Sequence, residues 1–330
     1  MTEYDFIRSF AGKFKRDPQQ LNGLFESDAE LIDIGGQTWA LTMDEFTPEE
    51  DRFTSDDPRR LGANLVTATI SDLLATGAEP RFFLHTLALP ANANAAFADQ
   101  LTDGISATLQ EAQCFLLGGD IATCPTWRYN GFAAGPVAAP APILRRFAPA
   151  SRYLWITGEV GDANLAALTG APTPAFELRT TEASLIRPYA TAGIDTSGGF
   201  LDALWCLHAV NPEWRINLQL AQIPLAATVQ AFAATAGEQA LAAIVGGAGE
   251  YELLFATPAL TREEADILQA SGFTRIADVM PSPEPGLYVH RGTGMHLPIP
   301  QPPPCPRSYP ALEPYITAVQ EYTHQYLATP

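Results

Sequence analysis

Four aspartates stand where a carboxylate can do chemistry. Asp28 lies in an acidic loop, Glu26-Ser27-Asp28-Ala29. Asp44 follows an expected strand over 41–43, Asp72 interrupts an apolar helical stretch, and Asp120 closes Leu116-Leu117-Gly118-Gly119-Asp120. Carboxylates brought together from separate elements can hold Mg²⁺, a hard cation that takes oxygen ligands and bridges phosphates. Gly118 and Gly119 add backbone amides that can approach an anion closely. Taken singly, each aspartate reads as a cap or a turn former, so the metal chemistry depends on the four converging.

The elements that would position them follow from pattern. Residues 31–34 and 39–43 read as a hairpin about Gly35-Gly36, with Asp44 just after its second strand. A helix is expected over 59–76, stopped by Gly77. A near-continuous apolar strand spans 81–89, and a helix over 95–112 carries Phe97, Leu101, Ile105 and Leu109 at helical spacing. A short buried strand over 114–117 would present the Gly-Gly-Asp tip, and another strand spans 130–138. Residues 136–149, rich in Ala and Pro, read as a linker.

A second unit follows: strands over 152–156, 216–220, 252–256, 275–279 and 286–290, with Asp195 ending a further strand, and helices over 162–168, 181–192, from Gly198-Gly199 onward, 263–270 and 315–327. The eight prolines between 298 and 314 exclude regular structure there. The reading is a mixed α/β chain of two halves, residues 1–140 and 150–330.

Composition narrows the partners. The 330 residues carry 37 acidic and 19 basic side chains, a net charge of −18, and Lys13 and Lys15 are the only lysines. A phosphate-tracking protein needs a basic footprint, so nucleic acid is excluded as a partner. The longest uncharged run, residues 216–237, is broken by Asn217, Gln219, Gln222, Pro224 and Gln230, and reads as strand then helix rather than a membrane span. The first residues lack an apolar targeting core. Cys114, Cys124, Cys206 and Cys305 form no CxxC pair, so neither a disulfide framework nor a zinc site is expected, and the cytoplasm is the expected compartment.

Several other residues have structural readings. Asp162 is expected to cap a helix, His85 and His208 to be satisfied core histidines, Trp127 to pack, and Arg145-Arg146 to be solvated at a boundary.

Seven segments occur in an order that resembles the thiamine-monophosphate kinases. SDLLATGAEPRFFLHTLALP, from Ser71 to Pro90, is similar to SDLAAMGARP followed by a strand and LALP. TMDEF, LLGGDIA, TGEVGDANLAAL, GIDTSGGF, GEYELLF and GFTRIADV resemble further family segments in sequence. The same superfamily includes aminoimidazole ribonucleotide synthase, selenophosphate synthetase and a hydrogenase maturation protein. The resemblance implies a PurM-like two-domain fold, in which the N-terminal halves of two subunits pair into a shared β-barrel flanked by the C-terminal halves.

It also implies ATP and Mg²⁺ between the halves, and transfer of the γ-phosphoryl group to a small acceptor such as thiamine monophosphate. By resemblance, Asp28, Asp44, Asp72 and Asp120 are metal ligands. Gly118, Gly119, Asp120, Thr42, Ser197 and Gly198 lie at the nucleotide, and Asp120 and Asp195 are catalytic.

The departures are specific. One carboxylate of the family's Gly-Asp-Asp loop is missing beside Asp28, with Glu26 as a substitute. Asn64 stands for a lysine, Thr69 for an asparagine, Gly198 for the aspartate of SDG, and Glu250 for an aspartate. Three readings follow. The chain is a kinase with a rearranged metal set drawing on Glu26, Asp195 or Glu250; a relative that activates a carbonyl or amide oxygen; or a non-catalytic nucleotide-binding dimer. The Ser-Gly-Gly helix start can still receive an anion through its free amides.

Overall fold

The computed structural model describes residues 3–49, 56–291, 294 and 296–328. After helix α1 (Glu3–Ala11), strands β1 (Glu30–Ile34) and β2 (Gln37–Phe46) form the expected hairpin. Helix α2 (Pro58–Ala75) begins at Asp57, whose carboxylate accepts the Arg60 amide, with Pro58 in its first turn. Strand β3 (Phe82–Leu89), helix α3 (Ala95–Glu111), β4 (Phe115–Thr123) and β5 (Arg128–Pro136) complete a five-stranded sheet in the order β1-β2-β5-β3-β4. Only β3 and β4 run parallel there, as their helical crossover requires.

The second half contains β6 (Tyr153–Thr157), α4 (Asp162–Thr169), α5 (Thr180–Ile186), β7 (Ala192–Asp195), α6 (Phe200–Val210), β8 (Trp214–Gln219), α7 (Ala227–Ala236) and α8 (Ala242–Val245). It continues with β9 (Leu253–Thr257), α9 (Arg262–Ala270), β10 (Phe273–Pro281), β11 (Gly286–His290), β12 (His296–Ile299) and α10 (Leu312–Tyr326). Its seven strands lie in the order β12-β11-β8-β10-β6-β9-β7. The mixed α/β class agrees with the sequence pattern. No helix among the described residues is long and apolar enough to cross a membrane.

Helix α2 is buried almost all round, with Leu61, Leu65, Ile70, Leu73 and Leu74 nearly inaccessible. A helix apolar on every side needs cover on every side. The first sheet covers one side, and edge strand β7 of the second sheet approaches another. Gly193 permits that approach, since a Cβ there would stand 2.8 Å from the Ala75 carbonyl oxygen and 2.9 Å from the Phe255 ring.

Four expectations are corrected. Strand β2 runs on to Phe46, so Asp44 lies inside it, because the ladder with β5 continues from Trp39 to Phe46. Strand β4 is neither short nor buried. It is an exposed edge strand that continues through Gly118-Gly119-Asp120 to Thr123, because β3 offers ladder partners as far as Leu89, with one register shift at Phe83/Leu84. Helix α5 stops at Ile186, shortly before Pro188, and Ala192 already belongs to β7. The proline-rich region includes strand β12, whose Pro298 is tolerated because β12 is an edge strand.

The stretch over 137–149 is not a free linker. Ile143 and Phe147 are buried, and the Ile143 amide donates to the Thr76 carbonyl at 3.0 Å. The Leu144 carbonyl accepts the Gly193 amide at 2.9 Å, so the connection is wedged between α2 and β7.

Candidate functional site: a carboxylate cluster between the two sheets

The buried face of the first sheet carries Thr42 and Asp44, two residues apart on β2 and therefore on one side of the strand. Gly131 lies opposite Asp44, and a Cβ on Gly131 would run into the Thr69 side chain of α2, so this is the face that α2 covers. Asp72 projects from α2 toward it. The Thr42 hydroxyl donates to Asp72 Oδ2 at 2.5 Å. Asp28 and Asp195 approach from the loop before β1 and from the end of β7. Among the described residues, Asp28, Asp72 and Asp195 are the one group of three or more His, Cys, Asp or Glu in which each offers an oxygen, nitrogen or sulfur within 4.8 Å of the others'.

Each carboxylate is held. Asp28 accepts from Arg145 Nε at 2.8 Å and from the same guanidinium's Nη2. Its other oxygen accepts the Asp195 amide at 3.1 Å. Asp195 accepts from the Ser71 hydroxyl through one oxygen. Its other oxygen accepts from the Ser197 hydroxyl at 2.7 Å and the Ser197 amide at 3.2 Å.

Burial pushes the Asp28 carboxyl up to about 6 against the pull of Arg145. Burial first, then the charges of Asp44, Asp195 and Asp28, push Asp72 well above the ordinary carboxylate range. The Arg145 guanidinium pairs with Asp28, whereas Asp72 has three acidic neighbours. An all-oxygen donor set short of positive charge fits a hard divalent cation. Asp28, Asp72 and Asp195 would hold it, with Asp44 beside them.

Of the two arginines read as solvated, Arg145 is turned inward, whereas Arg146 stays largely exposed and still pairs with this loop. Arg145 pairs with Asp28, and Arg146 Nε donates to Glu26 at 2.6 Å. Glu26 also accepts the Gly23 amide at 2.6 Å, and that backbone bond, with Arg146, holds its carboxyl below the usual range.

Glu250 lies elsewhere. Its carboxylate accepts the Gly161 and Ala163 amides at 2.6 Å and 3.0 Å, at the start of α4. Asp162, expected to cap α4, is its first helical residue and accepts from Thr228, because Gly161 takes the capping position and Glu250 the free amides. Between the buried Glu250 and Glu252, Tyr251 adopts φ +58, a strained conformation for a non-glycine residue. Glu252 pairs with Arg179, which also meets Glu182 at 3.0 Å.

Asn64 clamps the 170s segment: its amide nitrogen donates to the Pro174 carbonyl at 2.8 Å, and its oxygen accepts the Phe176 amide at 2.9 Å. Trp127 is buried, as expected. His85 and His208 are not satisfied, since Nδ1 of each is buried without a hydrogen-bond partner among the described residues, and burial lowers both pKa values.

Asp120 stands apart. It pairs across the ladder with Thr86, in a row with Asn130 and Glu45, one position out of step with the Asp44 row. It therefore points to the open face of the sheet, where it accepts the amide of its neighbour Ile121 at 3.0 Å. Gly118 and Gly119 share that exposed strand. Ser197 and Gly198 sit at the start of α6, next to Asp195. Sequence pattern missed Arg145 as the counter-charge; its only signal was a basic pair in a chain with few cations.

Comparison with known proteins bears on this arrangement. Residues 26–137 match the profile of the AIR synthase related protein, N-terminal domain. A thiamine-monophosphate kinase of Rhodopirellula baltica is 26% identical over 303 residues, 84% of this chain and 89% of that protein. A solved structure described as AaThiL complexed with AMPPCP and TMP superposes with a TM-score of 0.74 at 18% identity, covering 90% of this chain and 96% of that one. Hydrogenase maturation protein HypE in complex with ATP superposes with a TM-score of 0.68 at 19% identity, covering 92% and 93%. Both structures share the fold.

Proposed function

We propose that this chain, a divergent thiamine-monophosphate-kinase-like member of the AIR synthase-related (PurM-like) superfamily, is an ATP- and Mg²⁺-dependent phosphotransferase acting on a small acceptor. The observation that carries the reading is the convergence of Asp28, Asp72 and Asp195 between the two sheets. The names of the similar proteins supply the reaction class, and thiamine monophosphate is the first acceptor to test.

Bound Mg²⁺ supplies charge neutralisation for the phosphates. The chain's own residues supply position. Thr42 orients Asp72, Ser71 and Ser197 orient Asp195, and Arg145 fixes Asp28. The free amides at the start of α6, beside Ser197 and Gly198, lie where an anionic group can be received.

A second copy of the chain is part of this reading. Met43, Leu84, Phe115, Leu116, Leu117 and Ile121 are exposed on the open face and free edge of the five-stranded sheet. Those residues give a homodimer an apolar face, and Asp120 sits among them.

The test is calorimetric titration of ATP with and without Mg²⁺, followed by ADP release with thiamine monophosphate and other small acceptors. Binding that requires Mg²⁺ and acceptor-stimulated ADP release supports the reading; no detectable binding with Mg²⁺ rejects it. Gly198 favours one second reading, a nucleotide-binding dimer without turnover. That reading predicts Mg²⁺-dependent ATP binding with no ADP release by any acceptor, including carbonyl and amide compounds.

A further inference from the structure

Gly198 is a glycine without a backbone reason. Its neighbour Gly199 has φ +93, and a Cβ at 199 would strike the Gly246 carbonyl, so 199 must be glycine. Gly198 has no positive φ. What a side chain at 198 would meet is Asp202: its Oδ2 falls well inside van der Waals contact with the ideal Cβ, its Cγ at 3.2 Å and its Cβ at 3.5 Å. The carboxylate of Asp202 occupies the volume that a residue 198 side chain would fill.

Two routes connect that carboxylate to the cluster. Along the chain, Gly198 follows Ser197, whose hydroxyl and amide both donate to Asp195. Through space, the Cys206 thiol donates to Asp202 Oδ2 at 3.6 Å, and Cys206 also acts electrostatically on the Arg145 guanidinium that holds Asp28. Asp202 stands three positions after the N-cap residue Gly199, whose amide donates to the Thr196 carbonyl at 3.0 Å.

We propose that Asp202 supplies the carboxylate at the start of α6 that Gly198 lacks, serving the Mg²⁺-nucleotide held by Asp28, Asp72 and Asp195. Its carboxylate comes from position 202, four residues further along the chain than 198, and projects back into the space a side chain at 198 would enter. This inference rests on the proposed Mg²⁺-nucleotide site. It makes Gly198 a spacer for Asp202 rather than a sign of lost chemistry.

The experiment compares wild type, Asp202→Asn, Gly198→Asp, and the swap Gly198→Asp with Asp202→Ala. It reads the Mg²⁺ concentration needed for half-saturation with a non-hydrolysable ATP analogue, alongside the thermal midpoint without ligand. Asp202→Asn is expected to raise the Mg²⁺ requirement on the order of tenfold. Gly198→Asp alone crowds two carboxylates into one volume and lowers the ligand-free midpoint. The swap is expected to recover both the midpoint and most of the Mg²⁺ affinity, which a purely helix-stabilising Asp202 would not do. An unchanged Mg²⁺ requirement in Asp202→Asn, with the wild type binding normally, overturns the role of Asp202 alone. Absence of Mg²⁺-dependent binding in the wild type overturns the site as well.

Discussion

The backbone amide of Asp195 donates to Oδ2 of Asp28 at 3.1 Å, joining residues 167 positions apart. That bond places the last residue of an edge strand in one sheet against the loop that leads into the other. Because the remaining Asp28 oxygen is held by Arg145, and because both Asp195 oxygens are held by serines, the two carboxylates keep fixed orientations before any ligand arrives.

Removing Arg145 should be expensive for the fold. The Asp28 side chain is 1% exposed. Arg145→Met leaves that carboxylate buried without its partner, and a loss of about 3–5 kcal/mol is expected. Urea denaturation reads it directly; a variant as stable as wild type would show that Asp28 is neutral in the folded chain.

Stability and ligand affinity should move in opposite directions at Asp72. Its burial and three acidic neighbours make its charge unfavourable without a cation. Asp72→Asn, still able to accept from Thr42, is expected to raise the midpoint in EDTA by ~2–4 °C and to lose Mg²⁺-dependent nucleotide binding. Differential scanning fluorimetry with and without Mg²⁺ and nucleotide checks both halves of the statement.

Glu250 predicts a pH dependence remote from the cluster. Burial pushes its carboxyl from an ordinary 4.5 up to about 8, against the pull of the Gly161 and Ala163 amides. The folded chain therefore binds more protons here than the unfolded chain. The contribution to stability is complete below about pH 4.5 and is lost as pH rises through about 8. Glu250→Gln keeps an acceptor for both amides and should flatten the fall in thermal midpoint between pH 5 and pH 9. An unaltered slope would assign that fall to other groups.

The free edge of the first sheet gives a mass measurement. Ile121 and Leu117 are 70% and 61% exposed on β4. If a second copy covers them, Ile121→Glu with Leu117→Glu should convert a dimer to a monomer in light scattering. A wild-type chain that is monomeric at micromolar concentration would remove the dimer from the proposed function.

Much of the architecture was legible, because its signals are local. The buried helix α2 shows as an apolar run between Asp57-Pro58 and Gly77, and the β1–β2 hairpin shows as alternation about Gly35-Gly36. The candidate site was legible only as residue types. Asp28 and Asp72 converge as expected, and Asp195 joins them, but nothing local says that Arg145 turns inward. Nor does a Gly-Gly-Asp sequence reveal ladder register, and register decides which face Asp120 takes. Glu250, offered by the sequence as a candidate for a rearranged metal set, instead holds a helix start nearly ninety residues away in sequence, a long-range contact that no spacing rule records.

The wedge at 137–149 decides where this chain tolerates a cut. Arg145 belongs by sequence to the stretch between the sheets, yet its charge serves Asp28 in the first. A fragment ending at residue 140 would keep the buried aspartate and discard its cation, whereas one ending at 148 would keep both. The shorter piece should therefore be the less stable of the two in urea, which would put the boundary of the N-terminal unit beyond Arg145 by charge balance rather than at the end of its last strand.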